Sequence, residues 1–132
     1  MSDYSIVKLS EVKNFFKEKG WPGEMRFMSK PLATEQVAVS YRKMPTGSGG
    51  KGGYGHRHKV QEEVVFVLAG ELEFKLDDKI EKVKAPAAVR IAPHVFRSIW
   101  NSQPKEAELL IISKKIENLD DDVEYKENFW PE

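Results

Sequence analysis

His56 and His58 are the side chains best placed to do chemistry, two of the chain's three histidines set one residue apart around Arg57. Residues two apart on a strand face the same way, so both imidazoles can converge on one ion or one ligand. A carboxylate lies close by in sequence, at Glu63 after four intervening residues. Taken alone, a His-x-His pair is more often the solvated end of a strand than a metal site, so the elements that hold it carry weight.

Those elements read as strands. Gln36 to Met44 alternates through Val37, Val39 and Tyr41, and strand-like segments follow at Glu63–Ala69, Glu71–Leu76, Lys79–Lys84, Ala87–Ala92, Phe96–Asn101 and Ala107–Ser113, separated by short turn signals. Asp77-Asp78 between two alternating segments predicts a hairpin. The segment from Pro45 to Gly55 holds six of the nine glycines and predicts a loop running straight into His56. One short helix is expected near the N-terminus, capped by Ser10 and continuing to Lys19, with Val12, Phe15 and Phe16 on one face and Gly20 ending it. Seven or more short strands with so little helix indicate an all-β sandwich or closed barrel of jelly-roll type. The ending, residues 117–132, is acidic and closes on Phe129, Trp130 and Pro131, aromatics expected to dock on the body or on a partner subunit.

With 132 residues, 40% of them apolar and 32% charged, the chain suits one globular domain spanning residues 1–132. Basic and acidic residues number 21 each, which leaves no net field toward nucleic acid or an anionic membrane. There is no cysteine, which excludes disulfides, thiolate metal sites and cysteine nucleophiles. Residues 1–9 lack a basic-then-apolar leader and the longest apolar run, Val64 to Ala69, is too short to cross a bilayer, so a cytoplasmic location is expected.

Gly50, five residues, His56-x-His58, four residues, Glu63, six residues and Gly70 resemble the first motif of the cupin superfamily. The second motif is degenerate. Pro86, five residues, Ala92-Pro93-His94, two residues, Arg97, three residues and Asn101 keep its spacing, but Arg97 stands where cupins usually place a third metal-binding histidine. The resemblance covers about residues 37–113 and implies a cupin jelly-roll barrel with the first-motif side chains pointing inward, flanked by the helix at 10–19 and the ending at 117–132. It implies no single reaction, because cupins include dioxygenases, sugar isomerases and epimerases, decarboxylases and ligand-sensing domains.

Two histidines and a carboxylate form the facial triad of non-haem iron sites, so His56, His58 and Glu63 can hold a divalent transition metal, Fe, Mn, Ni or Zn, without a fourth protein ligand. Arg97 opposes this: a guanidinium about 5 Å from a divalent ion is repelled by roughly 7 kcal/mol at an effective dielectric of 20. It would have to turn away, pair with Glu63, or grip a ligand carboxylate or phosphate with its planar fork. Arg97, His94 and Tyr54 are the candidate ligand contacts, although the position of His94 fits a turn residue better than a ligand. The glycine run lacks the Gly-Lys-Ser/Thr element and following helix of a phosphate cradle. The expected function is binding of a small polar or anionic molecule, the alternatives being a metal-dependent cupin enzyme and a non-catalytic sensing module. Val64–Leu68 and Leu109–Ile112 are apolar on both faces and need a second layer, which makes a homodimer the expected state.

Overall fold

Val12 is pulled into the protein core, only 5% exposed, and this divides the expected N-terminal helix. A single 3-10 turn at Leu9–Glu11 gives way to extended backbone at Val12, whose carbonyl accepts from Arg26. Helix α1 (Phe15–Lys19) starts only at Phe15 and ends at Gly20, in the left-handed region at φ 71 where a residue without Cβ is favoured. The computed structural model describes residues 3–132.

After α1 come β1 (Glu24–Phe27), the single turn α2 (Ser29–Leu32), β2 (Val37–Met44), β3 (Ser48–Gly49) and β4 (Gly53–His58). A run of strands follows: β5 (Glu63–Ala69), β6 (Glu71–Leu76), β7 (Lys79–Lys84), β8 (Ala87–Ile91), β9 (Arg97–Asn101) and β10 (Ala107–Lys114). A second single turn, α3 (Leu119–Asp122), leads into β11 (Val123–Trp130). The segment expected as one loop, 45–55, therefore contains β3 and the start of β4. The acidic ending carries a strand, and its Phe129 and Trp130 dock on the body of the same chain, 4% and 3% exposed.

Two antiparallel sheets face each other, ordered β1-β2-β10-β5-β8 and β11-β4-β9-β6-β7, with β3 added beside β9. This is the all-β jelly-roll barrel that the strand spacing predicts. One end of the space between the sheets is packed solid by Met44, Val65, Val67, Leu72, Phe74, Ile91, Ala107 and Leu109. Asn101 seals that end, giving its amide to Met44 O and Lys105 O, each at 2.9 Å. The aromatic ending fits because of a missing side chain: a Cβ on Gly55 would sit 2.3 Å from Phe129 Cδ2. Above the apolar floor the inward positions turn polar, and there the site lies.

Candidate metal and ligand site between the sheets

His56 on β4 and Arg97 on β9 are cross-strand partners, and His58, two residues on, shares their face. Glu63 opens β5 on the opposite sheet. The ligating atoms of His56, His58 and Glu63 all lie within 4.8 Å of one another. The three first-motif residues therefore converge, as the resemblance implies.

His58 is fixed from behind. Its Nδ1 stands 3.0 Å from Asp122 Oδ2 on α3. Asp122 is itself held by the Lys59 and Val60 N–H groups, which donate to Oδ1 at 3.1 and 2.8 Å. Burial works against the charge of Asp122, but the Val60 N–H and His58 more than offset it, and its pKa ends below the ordinary carboxylate range. A carboxylate there favours the tautomer with the proton on Nδ1, in which Nε2 is the lone pair. That Nε2 is buried and has no hydrogen-bond partner, with Glu63 Oε2 at 3.8 Å.

Burial, then the charge of Arg97, then His58 push the His56 pKa down to about 4, so this imidazole is neutral near pH 7 and can also offer a lone pair. Arg97 has taken the pairing alternative: Nη1 donates to Glu63 Oε1 at 3.0 Å, and Nη2 to Ala92 O at 2.8 Å. Burial lowers the Arg97 pKa and Glu63 acts the other way. Glu63 Oε2 stays on the side of the histidines.

These donors fit a first-row divalent ion. Two neutral imidazole nitrogens and one carboxylate oxygen suit Fe, Mn, Ni or Zn, and the orphaned His58 Nε2, backed by a carboxylate on its other nitrogen, is the arrangement that orients a ligating histidine. The charge of Arg97 is directed onto Glu63, which lessens the repulsion an ion would meet.

A cavity of about 450 Å³ opens beside the group, lined by His56, Glu63, Arg97 and Tyr54 among others. A second, of about 760 Å³, shares His56, Glu63, Arg42 and Ile111 with it. Tyr54 stands at the rim, 59% exposed, its ring edge-on to Tyr125 with centroids 5.5 Å apart. His94 is exposed in the turn before β9 and lines neither cavity. Glu62 faces solvent as strand alternation requires and pairs with Arg90 at 2.6 Å.

Two residues escaped the sequence reading. Asp122 lies 64 positions from His58, beyond any spacing motif. Arg42 was more accessible: opposite the Val37, Val39, Tyr41 face, β2 presents Ala38, Ser40, Arg42 and Met44, and buried Met44 marks that set as inward.

A two-sheet antiparallel barrel with a His-His-Glu group in its interior is a jelly-roll barrel with a candidate metal site. The chain belongs to the cupin family: the model for the Cupin domain matches residues 43–113. It is similar in structure to a cupin protein from Bacteroides fragilis, 24% identical, covering 90% of each chain at a TM-score of 0.69. It also resembles a predicted oxalate decarboxylase from Thermotoga maritima, 22% identical over 85% of this chain and 100% of that one, TM-score 0.67. The polyketide cyclase RemF from Streptomyces resistomycificus is 17% identical over 83% of this chain and 78% of that one, TM-score 0.68. No curated protein sequence matches the chain.

Proposed function

We propose that this cupin binds a small organic molecule between its sheets, beside a divalent transition metal held by His56, His58 and Glu63. The observation that carries this reading is the buried, unpartnered His58 Nε2 pointed at Glu63 and supported by Asp122. A bound ion would supply Lewis acidity toward a ligand oxygen. Around it, Asp122 keeps the proton of His58 on Nδ1, Arg97 fixes the rotamer of Glu63, His56 stays neutral, and the apolar walls limit water beside the ligand. Tyr54, at the rim, is a ligand contact in this reading, and Arg97 acts through Glu63.

Three protein donors facing an open cavity also favour a second reading, a metal-dependent cupin enzyme of dioxygenase or isomerase type, because a facial set leaves positions for a substrate. The chemistries named for its structural neighbours differ from one another and select none of these.

Calorimetric titration with Mn²⁺, Ni²⁺ and Zn²⁺ tests the metal. One ion per chain is expected. Asp122→Asn should weaken affinity by about 10- to 100-fold, the usual effect of removing a histidine's supporting carboxylate. Replacing His56 and His58 together by alanine should abolish binding with the circular dichroism of the barrel intact. Unchanged binding in the double variant would refute the assignment.

A further inference from the structure

Arg42 is a half-buried cation that no acid in the chain answers. It lines both cavities together with His56 and Glu63. Its Nε is shut off from solvent without a partner. Among the described residues, none of the protein's hydrogen bonds or ion pairs involves its guanidinium, whose Cζ instead lies 5.6 Å from the Phe16 ring centroid. Burial lowers its pKa, and Tyr54 is the titratable neighbour acting the other way. The acids that could have served it are engaged elsewhere: Glu63 with Arg97, Glu24 with Arg26 and Lys43, Glu108 with Tyr41. Along the cavity that Arg42 lines, two guanidinium groups therefore face the one carboxylate of Glu63, which Arg97 already holds, while Asp122 is engaged behind His58. A desolvated charge left in this condition destabilises the fold, so its retention points to an anion from outside the chain.

We propose that Arg42 anchors the carboxylate of the pocket's ligand, which makes that ligand a small organic monocarboxylic acid with an apolar or aromatic body. The proposal rests on reading the pocket beside His56 and Glu63 as a ligand site and adds the class of molecule it takes. A carboxylate suits one planar guanidinium better than a phosphate does. A phosphate would also call on backbone N–H groups, and those of Gly50, Gly52 and Gly53 already donate to Ile99 O, Trp130 O and Gly50 O. Lys51, the other cation on this wall that lacks an acidic partner, is exposed on the loop. The body of the acid has Phe16, Trp21, Val65, Ile91, Ile99 and Ile111 for its walls. With its carboxylate on Arg42, its far end lies toward His56 and Glu63.

Phenylacetate, its neutral isostere phenylacetamide and inorganic phosphate serve as probes, titrated calorimetrically into the full-length protein, with the Arg42 Nε–H followed by ¹H–¹⁵N spectroscopy. Phenylacetate should bind, shift that resonance, and exceed both other probes by at least about tenfold, the scale of one charge-assisted contact. Arg42→Met should remove the preference for the acid over the amide. It should also melt no lower than wild type, since it deletes a half-buried charge that no acid answers; a lower melting temperature would mark Arg42 as structural and overturn the proposal. So would phosphate binding more tightly than phenylacetate, an acid preference that survives in Arg42→Met, or no binding of phenylacetate at millimolar concentration. Should acid and amide bind wild type equally and both be lost in His56→Ala, the pocket reading survives and the Arg42 anchor falls. Should the acid bind through Arg42 with no change in His56→Ala, the anchor stands and the pocket beside His56 is misassigned.

Discussion

At His56, burial, Arg97 and His58 all act against a second proton and hold its pKa near 4, whereas in the unfolded chain it titrates near the ordinary value of 6.5. Between those limits the unfolded state binds a proton that the folded state refuses, so stability is full above about pH 6.5 and falls as the pH drops toward 4, with a slope of up to about 1.4 kcal/mol per pH unit. Asp122 adds to the acid loss only further down, as pH falls through its own lowered pKa. Denaturant unfolding at pH 7, 6 and 5 should therefore show declining stability in wild type and a flatter profile in His56→Gln. Equal slopes for the two proteins would mean that His56 is solvated. This protonation behaviour was not legible in the sequence, since it arises first from burial between the sheets and then from Arg97, 41 positions away and brought alongside only by the pairing of β4 with β9. His56, His58 and Glu63 were legible because all three fall within eight residues and their spacing alone brings them together.

Among the elements, β5, β6 and β7 have the bounds that the sequence marks out, because β5 and β6 carry dense apolar positions ending at Gly70 and Asp77, and the turn at Asp77-Asp78 pairs β7 with β6 although β7 itself is mostly exposed. β1 and β11 escaped notice for physical reasons. Glu24–Phe27 has only two apolar positions, and Val123–Trp130 is joined to β4 through backbone pairing while half of its residues, Tyr125 to Asn128, stay in solvent. What fixes β11 is Phe129 seated over Gly55. Gly55→Ala would place a methyl 2.3 Å from the ring edge, against van der Waals contact, and should cost about 1 to 3 kcal/mol of stability. Phe129→Leu in the same chain should recover part of that loss. Thermal melts of the single and double variants measure both effects, and a neutral Gly55→Ala would show that β11 is not held at this point. Because Asp122 lies directly before β11, the strand also sets the position of the carboxylate that orients His58.

At the scale of the whole molecule, the inner faces of the sheets are accounted for by the core and the pocket, but the outer face of the sheet containing β5 and β10 is not fully covered. Val64, Phe66 and Leu68 alternate with the buried Val65 and Val67; Val64 and Phe66 pair across to Ile112 and Leu110 on β10, and Leu68, at the register shift, remains 43% exposed. A contiguous apolar sheet face favours burial against a second copy. Light scattering at micromolar concentration should give the mass of a homodimer, and Phe66→Lys should shift it toward the 15.1 kDa of one chain. A wild-type monomer would contradict the dimer.

Metal binding by His56, His58 and Glu63 is tested most directly by elemental analysis of protein purified without a histidine tag. The expected result is close to one Fe, Mn, Ni or Zn per chain in wild type and none in the protein with both histidines replaced by alanine. Wild type that stays metal-free after incubation with each of these ions, or a double variant that retains the same content, would contradict it.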